Sequence, residues 1–155
     1  MKSNSTAKEQ SLNPQPVARP QSQPVTAADN LDERVLMALN AVAEKKALDV
    51  VVLDLREIAS FTDFFVLTTG ANERQVQAIS DEVYETLKKS GSTAARVEGY
   101  KTAEWILLDY GDFIVHVFEQ KARQFYDLER LWRESKRVQL PSDIFADSGS
   151  LRTES

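Results

Sequence analysis

Apolar residues at Leu31, Val35, Leu39 and Val42, with Arg34, Asn40 and Lys45 between them, recur at helical spacing and predict a first helix running to about Lys46. Its start is read at Asn30, because Glu33 follows three residues later and such a pair forms a capping box for the orphan amide donors. Asp49 to Leu55 is a continuous β-branched run of strand length, the pattern of a strand covered on both faces. Phe64 to Thr69 predicts the next strand, closed by Gly70, with a polar loop from Arg56 to Asp63 between the two. Asn72, with Gln75 three residues on, opens a second helix whose buried stripe is Val76, Ile79, Val83 and Leu87. Gly91 stands where a left-handed C-cap is expected. A short strand near Ala95-Arg96-Val97 leads to Gly99. Glu104 to Tyr110 and Phe113 to Phe118 are β-rich runs separated by Gly111-Asp112, a hairpin with glycine placed for a type II′ turn. A last helix is predicted over about Ala122 to Lys136, burying Phe125, Leu128, Leu131 and Trp132. The order α-β-β-α-β-β-β-α places the chain in the α/β class, α+β-like, with a mixed five-stranded sheet flanked by helices.

Residues 1–29 break this regularity. They hold Pro14, Pro16, Pro20 and Pro24 among glutamines and serines, with Met1, Leu12, Val17 and Val25 as the large apolar side chains. Such a stretch cannot bury enough surface to offset its ordering entropy, so a disordered extension is expected. It has neither the apolar block of a signal peptide nor the arginines of a transit peptide. The folded domain is expected over residues 30–137, and residues 138–155 as a polar C-terminal tail.

Composition narrows the function. The 155 residues are 42% hydrophobic with a net charge of -5, which argues against non-specific duplex binding through counterion release. No cysteine is present, which excludes disulfides, zinc-thiolate sites and a cysteine nucleophile; a single histidine, His116, excludes the common imidazole metal sets. No apolar run reaches the roughly 20 residues of a membrane helix. The expectation is a soluble cytoplasmic protein, a binder rather than an enzyme, with no cofactor.

Hairpin register follows from the two-residue turn: Tyr110 opposes Phe113, Asp109 Ile114, Leu108 Val115, Leu107 His116, Ile106 Val117 and Trp105 Phe118. Faces alternate, so Ile106, Leu108, Tyr110, Phe113, Val115 and Val117 line the core. The opposite face carries Trp105, Leu107, Asp109, Ile114, His116 and Phe118, and needs a cover. Either a helix of the same chain supplies it, or part of the face docks another protein.

Enzyme chemistry finds little support. The five glycines are too scattered for a phosphate loop. Metal-dependent nucleotidyl transfer needs carboxylates two apart on a strand, and Asp54 has Arg56 at that position. Asp81-Glu82 reads as a solvated helix face, and His116 has no sequence-local nucleophile. On the last helix, the spacings Glu119–Arg123 and Glu129–Arg133 suggest internal pairing. Arg130, Lys136 and Arg137 leave a minor RNA contact open.

Thr62-Asp63-Phe64-Phe65-Val66, Arg74 to Ile79, Val97-Glu98-Gly99, Ala103 to Phe118, and Tyr126 to Trp132 form a set of motifs in fixed order along the chain. Together they resemble the Iojap family, the bacterial ribosomal silencing factors. The likeness spans about Leu31 to Trp132, with Ala71-Asn72 replacing a serine-containing turn common in the family. It implies a sheet related in shape to nucleotidyltransferases but without their catalytic acids. It also implies a translational repressor that binds large-subunit ribosomal protein fourteen and blocks subunit joining under nutrient limitation, with a role in large-subunit assembly left open. On that basis the docking region is expected at Trp105, Leu107, Asp109, Tyr110, Gly111, Asp112 and His116, with Glu98 beside them. Trp105 would be the aromatic anchor, Leu107 the apolar filler, and Asp109 and Asp112 acceptors for basic side chains. A homodimer through the same face would compete with the ribosome. A nucleotidyltransferase-like enzyme using Asp54, Asp63 and the Thr69-Gly70 turn is the alternative.

Overall fold

A computed structural model of the chain describes residues 25–27 and 31–145. In chain order the elements are β1 (Val25–Thr26), α1 (Glu33–Glu44), β2 (Leu48–Asp54), β3 (Phe64–Gly70), α2 (Glu73–Lys89), β4 (Arg96–Glu98), β5 (Trp105–Asp109), β6 (Phe113–Glu119), α3 (Gln120–Tyr126), α4 (Leu128–Leu131) and β7 (Lys136–Val138). They build one seven-stranded mixed sheet in the order β1-β7-β2-β3-β6-β5-β4. The five expected strands form its middle and one edge; the other edge adds β7, antiparallel to β2, and β1, parallel to β7. The expected extension over residues 1–29 therefore contributes Val25–Thr26 to the sheet, and its first 24 residues lie outside the described part. The expected boundary between residues 137 and 138 falls inside β7, where Val138 is buried, and Leu140, Ile144 and Phe145 pack against the core beyond it.

Local chemistry explains the helix ends. The cap of α1 is Asp32, whose carboxylate accepts from the Arg34 amide at 2.8 Å; the expected cap Asn30 lies outside the described residues. Asp32 also takes the Arg34 guanidinium, and these hydrogen bonds hold its pKa below the usual carboxylate value against the opposing effect of burial. At α2, Asn72 Oδ1 accepts from the Gln75 amide at 2.8 Å while Gln75 Oε1 accepts from the Ala71 amide, one residue off the reciprocal capping-box partner. The helix ends at Ser90, and Gly91 at φ +98° takes the left-handed position expected of it.

The sheet separates two apolar layers. On one face α1 and α2 cover Val52, Phe64, Val66, Ile106, Leu108, Phe113, Val115 and Val117. All four predicted stripe residues of α2 are fully buried here, each worth roughly 1.5–3 kcal/mol relative to exposure. On the other face Leu53, Leu55, Phe65, Leu67, Ile114, Phe118 and Leu128 form a smaller cluster. β3 is buried throughout, as a central strand covered on both sides must be. β2 matches that expectation only in its last three residues; Leu48 and Asp49 are exposed.

The predicted long last helix is broken. Asp127 adopts φ 47°, ψ 57°, a left-handed conformation that aspartate tolerates better than most residues, and divides α3 from α4. The chain turns there, so Leu128 and Trp132 face the sheet while Phe125 and Leu131, expected to be buried, are 80% and 72% exposed. The expected Glu119–Arg123 and Glu129–Arg133 pairs are replaced by one across the corner: Arg123 donates to both oxygens of Glu129, at 3.1 and 3.0 Å.

Candidate functional site

The hairpin of β5 and β6 has the expected register, from Trp105↔Phe118 to Asp109↔Ile114, with the Tyr110 amide donating to the Phe113 carbonyl. Gly111 takes φ +86° at the turn, and the Asp112 amide donates back to the Tyr110 carbonyl at 3.1 Å. The loop before β3 braces this turn: the Thr62 hydroxyl donates to the Gly111 carbonyl and the Asp63 amide to the Asp112 carbonyl, both at 2.9 Å.

On the open face of the sheet the hairpin joins a row of rings. Tyr126 lies 4.7 Å from Trp105, Trp105 5.9 Å from His116, His116 4.5 Å from Phe65, Phe65 5.7 Å from Trp132, and Trp132 5.9 Å from Phe61. The middle of the row is sealed and both ends are open. His116 and Phe118 are buried, whereas Tyr126 is 46% and Phe61 57% exposed, with Trp105 and Leu107 half-buried.

His116 is held inside this row. The Trp105 indole Nε1–H donates to His116 Nδ1 at 3.0 Å, so the imidazole proton belongs on Nε2, which has no partner of its own. Burial, with a smaller contribution from the nearby Arg123 charge, lowers its pKa to about 3, and the ring is neutral at physiological pH. Arg123 is itself buried, donating to Thr69 Oγ1 at 2.7 Å as well as to Glu129. Burial opposes the charge on Glu129, but the Arg123 hydrogen bonds and charge outweigh it and lower its pKa. This clamp spans the Asp127 corner and sets how Phe125, Tyr126 and Leu131 are presented.

The expected docking residues divide accordingly. Trp105 and Leu107 stand together at the accessible surface. His116 supports Trp105 from beneath and is too buried to touch a partner. Tyr110 turns to the other face, stacks on Phe113 at 4.9 Å and is buried, with desolvation pushing its pKa up to about 12. Asp109 accepts from the Gly111 amide at 2.8 Å and faces Arg96 at 3.2 Å. Asp112 holds Arg34 at 2.7 Å, and its side chain remains 67% exposed. Glu98 lies on the edge strand β4, paired with Arg96 at 2.7 Å. The acidic acceptors thus have internal cations already. Sequence reasoning missed Phe61, Tyr126 and Trp132 as parts of the open face; two large apolar residues, Ile58 and Phe61, in an otherwise polar loop were the available signal.

The residues of the enzymatic alternative do not converge on a metal. Asp54 is buried and its carboxylate takes the Arg56 guanidinium at 2.9 and 2.8 Å. Thr69 is engaged by Arg123. Among the described residues no three His, Asp or Glu side chains are grouped to hold a metal ion, and no helix is long and apolar enough to cross a membrane.

Fold and face together define a mixed α/β protein built around an aromatic row left open at both ends. Residues 28–154 match the family described as ribosomal silencing factor during starvation, and the chain belongs to that family, as its hairpin motif implied. A protein of Halalkalibacterium halodurans named ribosomal silencing factor RsfS is 43% identical over 112 residues, 72% of this chain and 96% of its own length. A mouse protein named mitochondrial assembly of ribosomal large subunit protein 1 is 26% identical over 99 residues, 62% of this chain and 43% of its own length. A crystal structure from Bacillus halodurans, 42% identical, superposes with a TM-score of 0.63 over 70% of this chain and 98% of that one.

Proposed function

We propose that this protein is a cytoplasmic translational repressor that docks on ribosomal protein fourteen of the large subunit and blocks joining of the small subunit when nutrients are short. The observation that carries this reading is the aromatic row, whose half-buried Trp105 and Leu107 and exposed Tyr126 and Phe61 give the anchor-and-rim arrangement of an interface centre. Family membership and the large-subunit name of the mouse relative support the choice of partner. In this reading Trp105 is the anchor, Leu107 fills beside it, and Asp112, far more exposed than Asp109, reaches basic side chains of the partner. Asp109 positions the turn, and His116 positions Trp105. The mechanism is steric, with occupancy set by affinity and concentration.

Co-sedimentation with purified large subunits, followed by addition of small subunits, tests it. The chain is expected to migrate with the large subunit and deplete joined ribosomes. Trp105→Ala is expected to weaken binding more than about fivefold, a hot-spot loss of over about 1 kcal/mol, with an unchanged circular dichroism spectrum. Full binding by folded Trp105→Ala would remove the anchor, and absence of binding by the unaltered chain would refute the function.

A further inference from the structure

The corner between α3 and α4 exposes large apolar side chains more than any other described part of the chain, with Phe125 at 80% and Leu131 at 72%. With Tyr126 they line an open groove of about 610 Å³, bordered by Asp127, Arg130, Arg133 and Glu134. That volume lies within the roughly 300–1,000 Å³ of small-ligand sites. Phe125 and Tyr126 stand at 89° with ring centroids 5.0 Å apart, and at this exposure a flat face of the Phe125 ring stays open to solvent.

The charges of this groove differ from those elsewhere on the protein. Arg34, Arg56, Arg96, Arg123 and Arg137 each face a carboxylate, at 2.7 to 3.9 Å. Arg74, Arg130 and Arg133 have no ion pair among the described residues, and two of these three border the groove. The centre of a protein–protein interface is depleted of charge, whereas here two guanidiniums and two carboxylates surround an open ring. A nucleotide suits that lining. Every base has a flat face to stack on an aromatic ring, guanidiniums pair with phosphate, and carboxylates accept from the exocyclic amines of bases. Asp127 and Glu134 also keep the groove from being a general phosphate patch, in keeping with the net charge of -5.

We propose that the α3–α4 corner binds an unstacked nucleotide of a single-stranded RNA segment, with the base on Phe125 and the flanking phosphates on Arg130 and Arg133. RNA as the nucleic acid rests on the docking reading above, which sets the chain on a large subunit. The stacking groove itself does not. On that reading the open face has two parts: Trp105 and Leu107 meet ribosomal protein, and the corner meets the ribosomal RNA beside it.

A ten-nucleotide oligoadenylate RNA titrated into the isotopically enriched full chain tests the groove. The amide resonances of Phe125, Tyr126, Arg130 and Arg133 are expected to shift, with Leu48 and Val97 unmoved. The variant Phe125→Ala/Arg130→Gln/Arg133→Gln, altered only at exposed positions and checked by circular dichroism, is expected to lose the response. No shift by about 1 mM RNA, or equal shifts in the variant, overturns the proposal. So do shifts of the same resonances on raising protein concentration without RNA, since the occupant is then a second copy. Purified large subunits give the second readout. The variant is expected to bind them at least about fivefold more weakly, with the slope of log affinity against log salt reduced by about 1.4, while binding isolated ribosomal protein fourteen as the unaltered chain does. Equal weakening toward the isolated protein assigns the groove to the protein partner and overturns the RNA contact. Failure of the unaltered chain to bind large subunits is failure of the docking reading, and the oligoadenylate titration still decides the groove.

Discussion

Replacing Trp105 by Phe isolates what the indole N–H contributes. The bond to His116 Nδ1 is 3.0 Å long and its acceptor belongs to a side chain only 3% exposed. Removing the donor while keeping a six-membered ring leaves a buried acceptor unsatisfied, which costs about 1–3 kcal/mol. Contacts of the ring with Phe118 at 5.0 Å and Tyr126 at 4.7 Å largely survive the change, so about 2 kcal/mol is expected in total. For a domain of this size that corresponds to a fall in Tm of roughly 10 °C. Urea unfolding followed by circular dichroism at about pH 7.5, where His116 is neutral, measures it. The same substitution in a His116→Leu background, which has no acceptor to orphan, is expected to cost about 1 kcal/mol less. Equal costs in the two backgrounds, within about 0.3 kcal/mol, would show that the hydrogen bond does not couple these residues and that His116 does not position Trp105.

Other perturbations probe the supports of the face. The His116 pKa of about 3 lies below the ordinary 6.5, so its neutral burial contributes stability that is complete above about pH 6.5 and is lost progressively as pH falls toward 3. A His116→Leu chain is expected to lose less stability than the unaltered chain between those pH values, and parallel denaturation curves would contradict it. Arg123→Met leaves Glu129 with only Arg137 at 3.9 Å and removes the Thr69 hydroxyl's donor, for an expected loss of about 2–3 kcal/mol by urea denaturation; Arg123→Lys restores only part of it, because an ammonium cannot span both Glu129 oxygens as the guanidinium does. Gly99→Ala and Gly111→Ala separate strain from collision. Both glycines have positive φ, but a Cβ at Gly99 would run into the Trp105 carbonyl while one at Gly111 meets open space. Gly111→Ala is expected to cost about 1–2 kcal/mol and Gly99→Ala clearly more, with the start of β5 displaced; equal thermal shifts would refute the distinction.

Local patterns in the chain were sufficient wherever a short-range rule decides the outcome. The α2 stripe and its Asn72 cap follow from 3.6-residue periodicity and one side-chain hydrogen bond. The hairpin register follows from a two-residue turn and the alternation of side chains, and every pairing expected of it is present. Long-range packing decided the rest. Nothing adjacent in sequence told that Asp127 would turn the chain, because the preference for breaking a helix there depends on Arg123 reaching Glu129 across the corner and Thr69 across the sheet. That break exposed Phe125 and Leu131 and sent Trp132 toward Phe61 and Phe65. Likewise, the hairpin pattern placed His116 and Trp105 on one face but could not say which stays accessible. Burial is a property of everything packed around a residue, and here β3 and the α3–α4 corner close over the imidazole while leaving the indole half open.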